Sequence, residues 1–349
     1  MVPERKPDKK IDSTMRFVLV AGCTHTAEID GISAAGADST VMVHTPSADL
    51  ELLEYGEPTL SPVVPVSPTG CPSPAVVSRA VQELLEFEIL GVDAGLSAPT
   101  SAPTVTIGEE SGKDIRQSHS VPNAKNVFEN AKRLGRALPD DEIVIGETIP
   151  GGTTTALGVL TALGERTTVS SSLPENPLTL KRDVVNDALK ASDLSEGDAE
   201  GEPIKAVSHV GDPVLIGVAG MTIGAIESGT DVTLAGGTQQ AAASALVRHA
   251  GMDDSLSLAT TSFIAADETA AIEELTADLG LELIITDPQF RCGDHPAMDA
   301  YVAGEAKEGV GMGGALALLD RADVSMARLR EQIEAVYDRL VADDQLAKL

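Results

Sequence analysis

Apolar positions along this chain fall into two textures. Short β-type runs sit between glycine, proline and polar clusters, and longer stretches repeat their apolar residues every three or four positions. Strands are predicted over residues 16–21, 40–43, 142–145, 231–234 and 281–286, most of them followed by a turn signal and a helical pattern. Alternating βα units of this kind imply an α/β fold, a doubly wound and mostly parallel sheet. Ser73 and Pro74 supply an N-cap and a first helical residue for a helix running to Leu90, with Val77, Val81, Leu84 and Leu85 on one face. Residues 123–134 are helix-compatible, and residues 191–203 read as an acidic connector. Met326, Leu329, Ile333, Val336 and Leu340 fall at helical spacing with charges between them. Residues 321–349 are therefore expected to form an amphipathic helix that packs on the body or on another subunit.

Residues 1–13 are charged and proline-containing and are expected to form a flexible arm ahead of an α/β domain spanning 14–320. A soft boundary is expected in the loop-rich stretch 91–121. The longest apolar stretch, 214–226, is interrupted by Gly217, Gly220 and Gly224 and is too short to span a bilayer. No signal-peptide pattern precedes residues 15–21, so a cytoplasmic protein without a membrane partner is expected.

Composition narrows the function. With 54 acidic against 25 basic side chains, the 349-residue chain carries a formal charge of −29, which excludes the clustered basic surface that nucleic-acid binding needs. The acidity is spread through the chain, as in surfaces adapted to high salt. Self-repulsion then destabilises the fold at low ionic strength, where the Debye length is roughly 30 Å at 0.01 M against 3 Å at 1 M. The melting temperature is expected to climb between about 0.1 and 2 M salt; a flat response would remove the halophilic reading and leave open an ordinary acidic protein or a surface that serves a basic partner. Trp is absent and aromatics make up 2%, so the core must be aliphatic. Cys23, Cys71 and Cys292 are odd in number and widely spaced, which is no disulfide framework.

Candidate chemistry concentrates in three glycine-rich elements. EIVIGETIPGGTTTA, from Glu142 to Ala156, runs a buried strand through a glycine turn into a helix with threonines at its start. A helix start of this kind cradles anions, because glycine lets the backbone approach and the N–H groups and dipole favour a phosphate. Neither a Walker A loop nor a GxGxxG fingerprint is present. AGGTQQAAA (235–243) repeats the design, and KEGVGMGGA (307–315) places Glu308 before another glycine turn. In an open α/β sheet such turns gather at the carboxyl ends of the strands, where they can line one crevice.

The ordered set GETIPGGTTTA, LKRDVVNDAL, HVGDPVLIGVAGMTIGA, LAGGTQQAAA and KEGVGMGGA resembles nicotinate-nucleotide:dimethylbenzimidazole phosphoribosyltransferases, in particular their archaeal and haloarchaeal branch, over roughly residues 142–318. The resemblance implies a small second lobe built from the chain ends and a homodimer. It also implies transfer of 5-phosphoribose from nicotinate mononucleotide to a benzimidazole-type base in cobamide lower-ligand assembly, with no cofactor and no metal. Glu308 takes the place of the family's catalytic glutamate. Glu147 takes that of the acidic residue in the first glycine loop, and Lys181 that of the lysine in the following helix. Gly151, Gly152 and Thr153 fall in the phosphate-loop segment, and Gly236, Gly237 and Thr238 at a second ligand-binding helix start. Ile149, Pro150 and Gly152 depart from the bacterial Gly-Ile-Gly-Asn pattern, HVGDP replaces a Gly-Gly-Leu-Glu-like turn, and the amino-terminal part has no secure counterpart. These departures leave open a different acceptor base, phosphorolysis, or a non-catalytic nucleotide-binding protein.

The chemistry such a site would run is simple. An azole nitrogen attacks C1′ while its N–H proton passes to a base, and a carboxylate in an apolar pocket suits that task because burial raises its proton affinity. Other constellations are thinner. Cys292 and His295 have C-x-x-H spacing but make only two ligands; His209, near Asp212, is either a substrate contact or a structural histidine; Thr24 and His25 sit where they can reach a crevice mouth.

Overall fold

The computed structural model describes residues 14–33, 39–64, 67, 71–293 and 295–347; the arm expected over 1–13 lies outside them. Seven parallel strands form one sheet: β1 (Met15–Gly22), β2 (Glu88–Gly95), β3 (Thr104–Thr106), β4 (Glu142–Thr148), β5 (Asp231–Ala235), β6 (Ser257–Thr261) and β7 (Glu282–Thr286). Their order is β3-β2-β1-β4-β5-β6-β7. Chain progress reverses direction across the β1–β4 pair, where Leu19 lies between Gly91 of β2 and Gly146 of β4. At such a reversal the connections leave for opposite sides, opening a crevice at the carboxyl ends of the strands.

The two-residue period of β1 sorts its side chains between two cores. Val18 and Val20 join Ile143, Ile145, Leu234 and Leu258 on one face, under the helices Ala124–Ala137, Gly152–Leu163, Leu178–Ala191, Pro213–Ser228 and Thr238–His249. Phe17, Leu19 and Ala21 join Val144 and Ala235 on the other, under Thr45–Tyr55, Ala75–Leu85, Met312–Arg321 and Met326–Ala347. The chain ends thus come together over one face of the sheet. Leu329, Ile333, Val336 and Leu340 are buried there against the Ala75–Leu85 helix, so the stripe of the terminal helix is covered by its own chain.

On the first face two helices meet at backbone contact. A Cβ on Gly224 would lie 2.0 Å from the carbonyl oxygen of Lys132, one on Gly220 2.6 Å from that of Phe128, and one on Gly135 2.2 Å from that of Met221. Gly220 and Gly224, two of the glycines that interrupt the apolar stretch 214–226, let these helices approach so closely, while Gly217 faces Ile107 instead.

Three expectations change. Residues 40–43 are not a strand: Ser39–Met42 is helical, and the β propensity of four residues carries little weight without a neighbouring strand to pair with. The helix entered at Ser73 stops at Leu85, where Glu86 takes a left-handed cap (φ 54°), and Glu88–Leu90 open β2 instead. The start also moves by one residue: Pro74 takes the N-cap position, and Ser73, just ahead of it, accepts the Ala75 N–H through Oγ at 3.2 Å. Residues 91–121 hold no boundary, since Gly91–Gly95 and β3 belong to the same sheet. Among the described residues no helix is long and apolar enough to cross a membrane.

Candidate active site

β4 ends in Glu147 and Thr148, the chain turns through Gly151 (φ 78°), and a helix starts at Gly152. β5 feeds a second turn into the helix Thr238–His249, capped by Gly237. Neither helix start receives a side-chain cap; in the first, the Gly152 and Thr154 N–H groups donate to the Ile149 and Gly151 carbonyls at 3.3 and 3.0 Å, so an anion is left to the other first-turn N–H groups of the two helices. Both starts line one cavity, together with Asp49, Ser73, Ser170–Ser172 and the Lys307–Val310 turn.

Glu308 is held from several directions. The Val310 N–H donates to the Glu147 carbonyl at 2.9 Å, Ser78 Oγ donates to the Val310 carbonyl at 2.8 Å, and Thr261 Oγ1 to the Lys307 carbonyl at 2.6 Å. Gly311 (φ 69°) lies against Gly146, where an added Cβ would come within 2.7 Å of the Gly311 Cα. The Glu308 side chain accepts the Gly313 N–H through Oε1 at 2.9 Å. Its Oε2 is sealed from solvent and has no partner among the described residues.

Four carboxyl groups converge here. Burial pushes Glu308 up to about 8, with the Glu147 charge adding and the Gly313 and Gly309 N–H groups opposing. Burial, then Asp212 and Asp49, push Glu147 up to about 8. Asp49 rises to about 6 through burial, tempered by hydrogen bonds from Ser73 (2.5 Å) and Thr148 (2.6 Å). Burial raises Asp212 as well, against donors that include Thr155, Leu215 and Gln239. A buried acid with a purely structural task looks different. Glu51 gathers the N–H groups of Thr59, Leu60, Ser61 and Ser101 at 2.7–3.0 Å, and these outweigh its burial and hold it below the usual carboxylate range. Glu147 and Glu308 lack such compensation, a condition found at functional sites.

No family profile matches the chain. It is 59% identical to the UPF0284 protein of Halobacterium salinarum, over 93% of this chain and 98% of that one. It is 38% identical to the UPF0284 protein of Methanosarcina mazei, over 93% and 95%. The chain belongs to the UPF0284 family. Two solved structures share its fold, both from Thermus thermophilus. One is nicotinate-nucleotide-dimethylbenzimidazole phosphoribosyltransferase (TM-score 0.59, 18% identity, 92% of this chain and 82% of that one). The other is CobT (0.61, 19%, 92% and 83%). The expected α/β architecture is thus the one those proteins have, and the halophilic reading has a relative from a halophile beside it.

In this UPF0284 chain Glu147, Gly151, Gly152, Thr153, Gly237, Thr238 and Glu308 line the one cavity. Two expected residues do not. Gly236 stands behind the wall, where a Cβ would meet Gln240 at 2.5 Å. Lys181 is fully buried and donates Nζ to the Ser170 carbonyl at 2.7 Å, supporting the serine loop from behind. Burial pulls Lys181 down to about 7, with Lys307 adding and Asp267 opposing. His209 bonds the Ser118 carbonyl at an exposed position and packs on His119, away from the cavity. Cys292 is an exposed free thiol, and His295 packs on Tyr337 and faces Asp338 at 3.6 Å. Among the described residues no group of three or more His, Cys, Asp or Glu is placed to hold a metal.

The sequence reading missed Asp49, Gln239, the serine loop and the Lys307–Asp267 ion pair at 2.8 Å. Asp212 carried a signal, since Asp-Pro ahead of an apolar run is a helix start, and its Oδ1 does accept the Leu215 N–H at 2.8 Å. Nothing in the sequence showed that its second oxygen would reach Gln239.

Proposed function

We propose that this UPF0284 protein transfers 5-phosphoribose from nicotinate mononucleotide to a benzimidazole-type base, a step of cobamide lower-ligand assembly. The observation that carries the reading is the unpartnered, sealed Oε2 of Glu308 in a cavity entered by two uncapped helix starts. The helix starts take the phosphate, and the Ser171 hydroxyl, which accepts the Leu173 N–H at 3.2 Å, keeps its own proton to donate beside them. The shared fold with a phosphoribosyltransferase supports the same assignment.

The reaction balances without outside help. The C1′–N bond to the pyridinium ring breaks and its electron pair neutralises the departing nicotinate nitrogen. The lone pair of the unprotonated azole nitrogen forms the new bond to C1′, and the proton on the ring's other nitrogen passes to Glu308 Oε2. Three buried acids around the cavity favour a cationic donor, because the lysine of the lining, Lys307, is already paired with Asp267 at 2.8 Å and the pyridinium supplies the positive charge those acids lack. Incubating the purified protein in molar salt with nicotinate mononucleotide and a panel of benzimidazoles and purines is expected to release nicotinate and form a riboside phosphate with a benzimidazole. Nicotinate release with purines alone would move the assignment to another acceptor; no release with any base would reject phosphoribosyl transfer.

A further inference from the structure

Gln239 is a polar side chain with half of its hydrogen-bonding capacity unused. It is the second residue of the helix Thr238–His249, it lines the cavity, and it is 5% exposed. Its Nε2 donates to Asp212 Oδ2 at 3.0 Å. Its Oε1 is sealed from solvent and has no partner among the described residues. The amide cannot turn over freely, since a reversed amide would set its oxygen against the carboxylate and lose that bond. Asp212 is itself fixed: Oδ1 caps the Pro213–Ser228 helix through Leu215, and Thr155 Oγ1 also contacts Oδ2. A single oxygen suffices for the cap. The other, at the cost of a buried carboxylate with no cation beside it, holds the glutamine.

We infer that Gln239, oriented by Asp212, accepts a hydrogen bond from a ribose hydroxyl of the phosphoribosyl donor. The inference rests on the phosphoribosyl reading for the ligand and goes beyond it in naming how the sugar is recognised. The chemistry around Gln239 selects a donor-bearing group. Glu147 lines the same cavity within electrostatic reach of Asp212, and the Gln239 carbonyl oxygen can only accept, which suits a hydroxyl and not a phosphate dianion. The phosphate is left to the glycine-capped helix starts nearby. A Cβ on Gly152 would come within 3.0 Å of the Gln239 amide, so the glutamine lies directly over the first helix start, where phosphate and sugar of one ligand meet both groups. Gln239 is the contact and Asp212 a positioning residue.

The test measures binding by calorimetry in molar potassium chloride, with ribose 5-phosphate, its 2-deoxy and 3-deoxy counterparts, and nicotinate mononucleotide. The wild type is expected to bind ribose 5-phosphate about tenfold more tightly than one of the two deoxy sugars, the worth of one buried hydrogen bond. Gln239→Ala is expected to erase that ratio by weakening the ribose form alone. Asp212→Asn is expected to do the same, because the new amide presents an N–H to the glutamine and turns its nitrogen toward the cavity. Melting curves identify which variants are folded, and Gln239→Ala decides if Asp212→Asn is not. Equal wild-type affinity for ribose and both deoxy sugars, or a ratio that persists in folded Gln239→Ala, overturns the inference. Wild-type discrimination without nicotinate release from the mononucleotide would reject the proposed reaction and keep the inference. Failure to bind any sugar phosphate would reject both.

Discussion

Glu308→Gln is expected to lower turnover by about 10²–10⁴-fold, the usual contribution of a positioned general base, while nicotinate mononucleotide still binds. The side-chain carbonyl of glutamine can keep the Gly313 N–H bond that Glu308 Oε1 makes, so the change removes the proton acceptor and leaves the support intact. Comparing kcat with the dissociation constant of the mononucleotide separates the two roles, and undiminished kcat would take Glu308 out of the mechanism. The wild-type pH profile follows from the same residue. A base works deprotonated, and burial holds Glu308 at about 8, so kcat/KM is expected to rise tenfold per pH unit below about 8 and level off above it. The pyridinium charge favours the carboxylate, so the limb in kcat should sit at lower pH. Loss of this limb in Glu308→Gln would assign it.

Gly224→Leu is expected to prevent folding. An added Cβ would lie 2.0 Å from the Lys132 carbonyl oxygen and 3.0 Å from the Arg136 nitrogen, both backbone atoms of the facing helix, so relief requires moving the helix. Even Gly224→Ala is expected to cost about 3 kcal/mol, at the upper end of overpacking effects. Gly251→Ala serves as a contrast. Nothing lies within 4 Å of its added Cβ, and only its positive φ of 85° is strained, a cost of about 1 kcal/mol. Denaturant unfolding in molar salt checks the order. A Gly224→Leu protein as stable as wild type would mean that the two helices do not pack at backbone contact.

These two residues mark what the sequence revealed and what it hid. Strands β1, β4, β5 and β7 stood out because turn residues follow them and their apolar runs are distinct. β3 and β6 did not: β3 is only three residues long, and both are dominated by Thr, Ser and Ala, which carry little apolar contrast. β2 was absorbed into the preceding helix because Phe87, Ile89 and Leu90 continue an apolar density whose period changes only at the left-handed Glu86. In the site, the glycine turns were readable because backbone demands leave a local trace, whereas Glu308 was singled out through the family resemblance of the motif that carries it. Asp49, Gln239 and Ser170–Ser172 reach the cavity through tertiary contacts such as Asp49 to Thr148 and Ser170 to Asp267, which no local spacing encodes. Lys181 and Gly236, carried over from the resemblance, support the wall from behind.

The division of the sheet between two cores sets an order of assembly. Every residue of the first core lies between Val18 and Leu279, so that core has all its parts while the last helices are still unmade. The second needs Phe17, Leu50 and Val77 from the beginning of the chain and Leu316, Ile333 and Leu340 from its end. During synthesis one face of the sheet can therefore be closed while Phe17, Leu19 and Val144 stay uncovered on the other. Closing that face also brings Ser78 to Val310 and so seats the Glu308 turn. The cavity is completed by the last contacts made, and a partly made chain holds the two glycine-capped helix starts before it holds Glu308 in place.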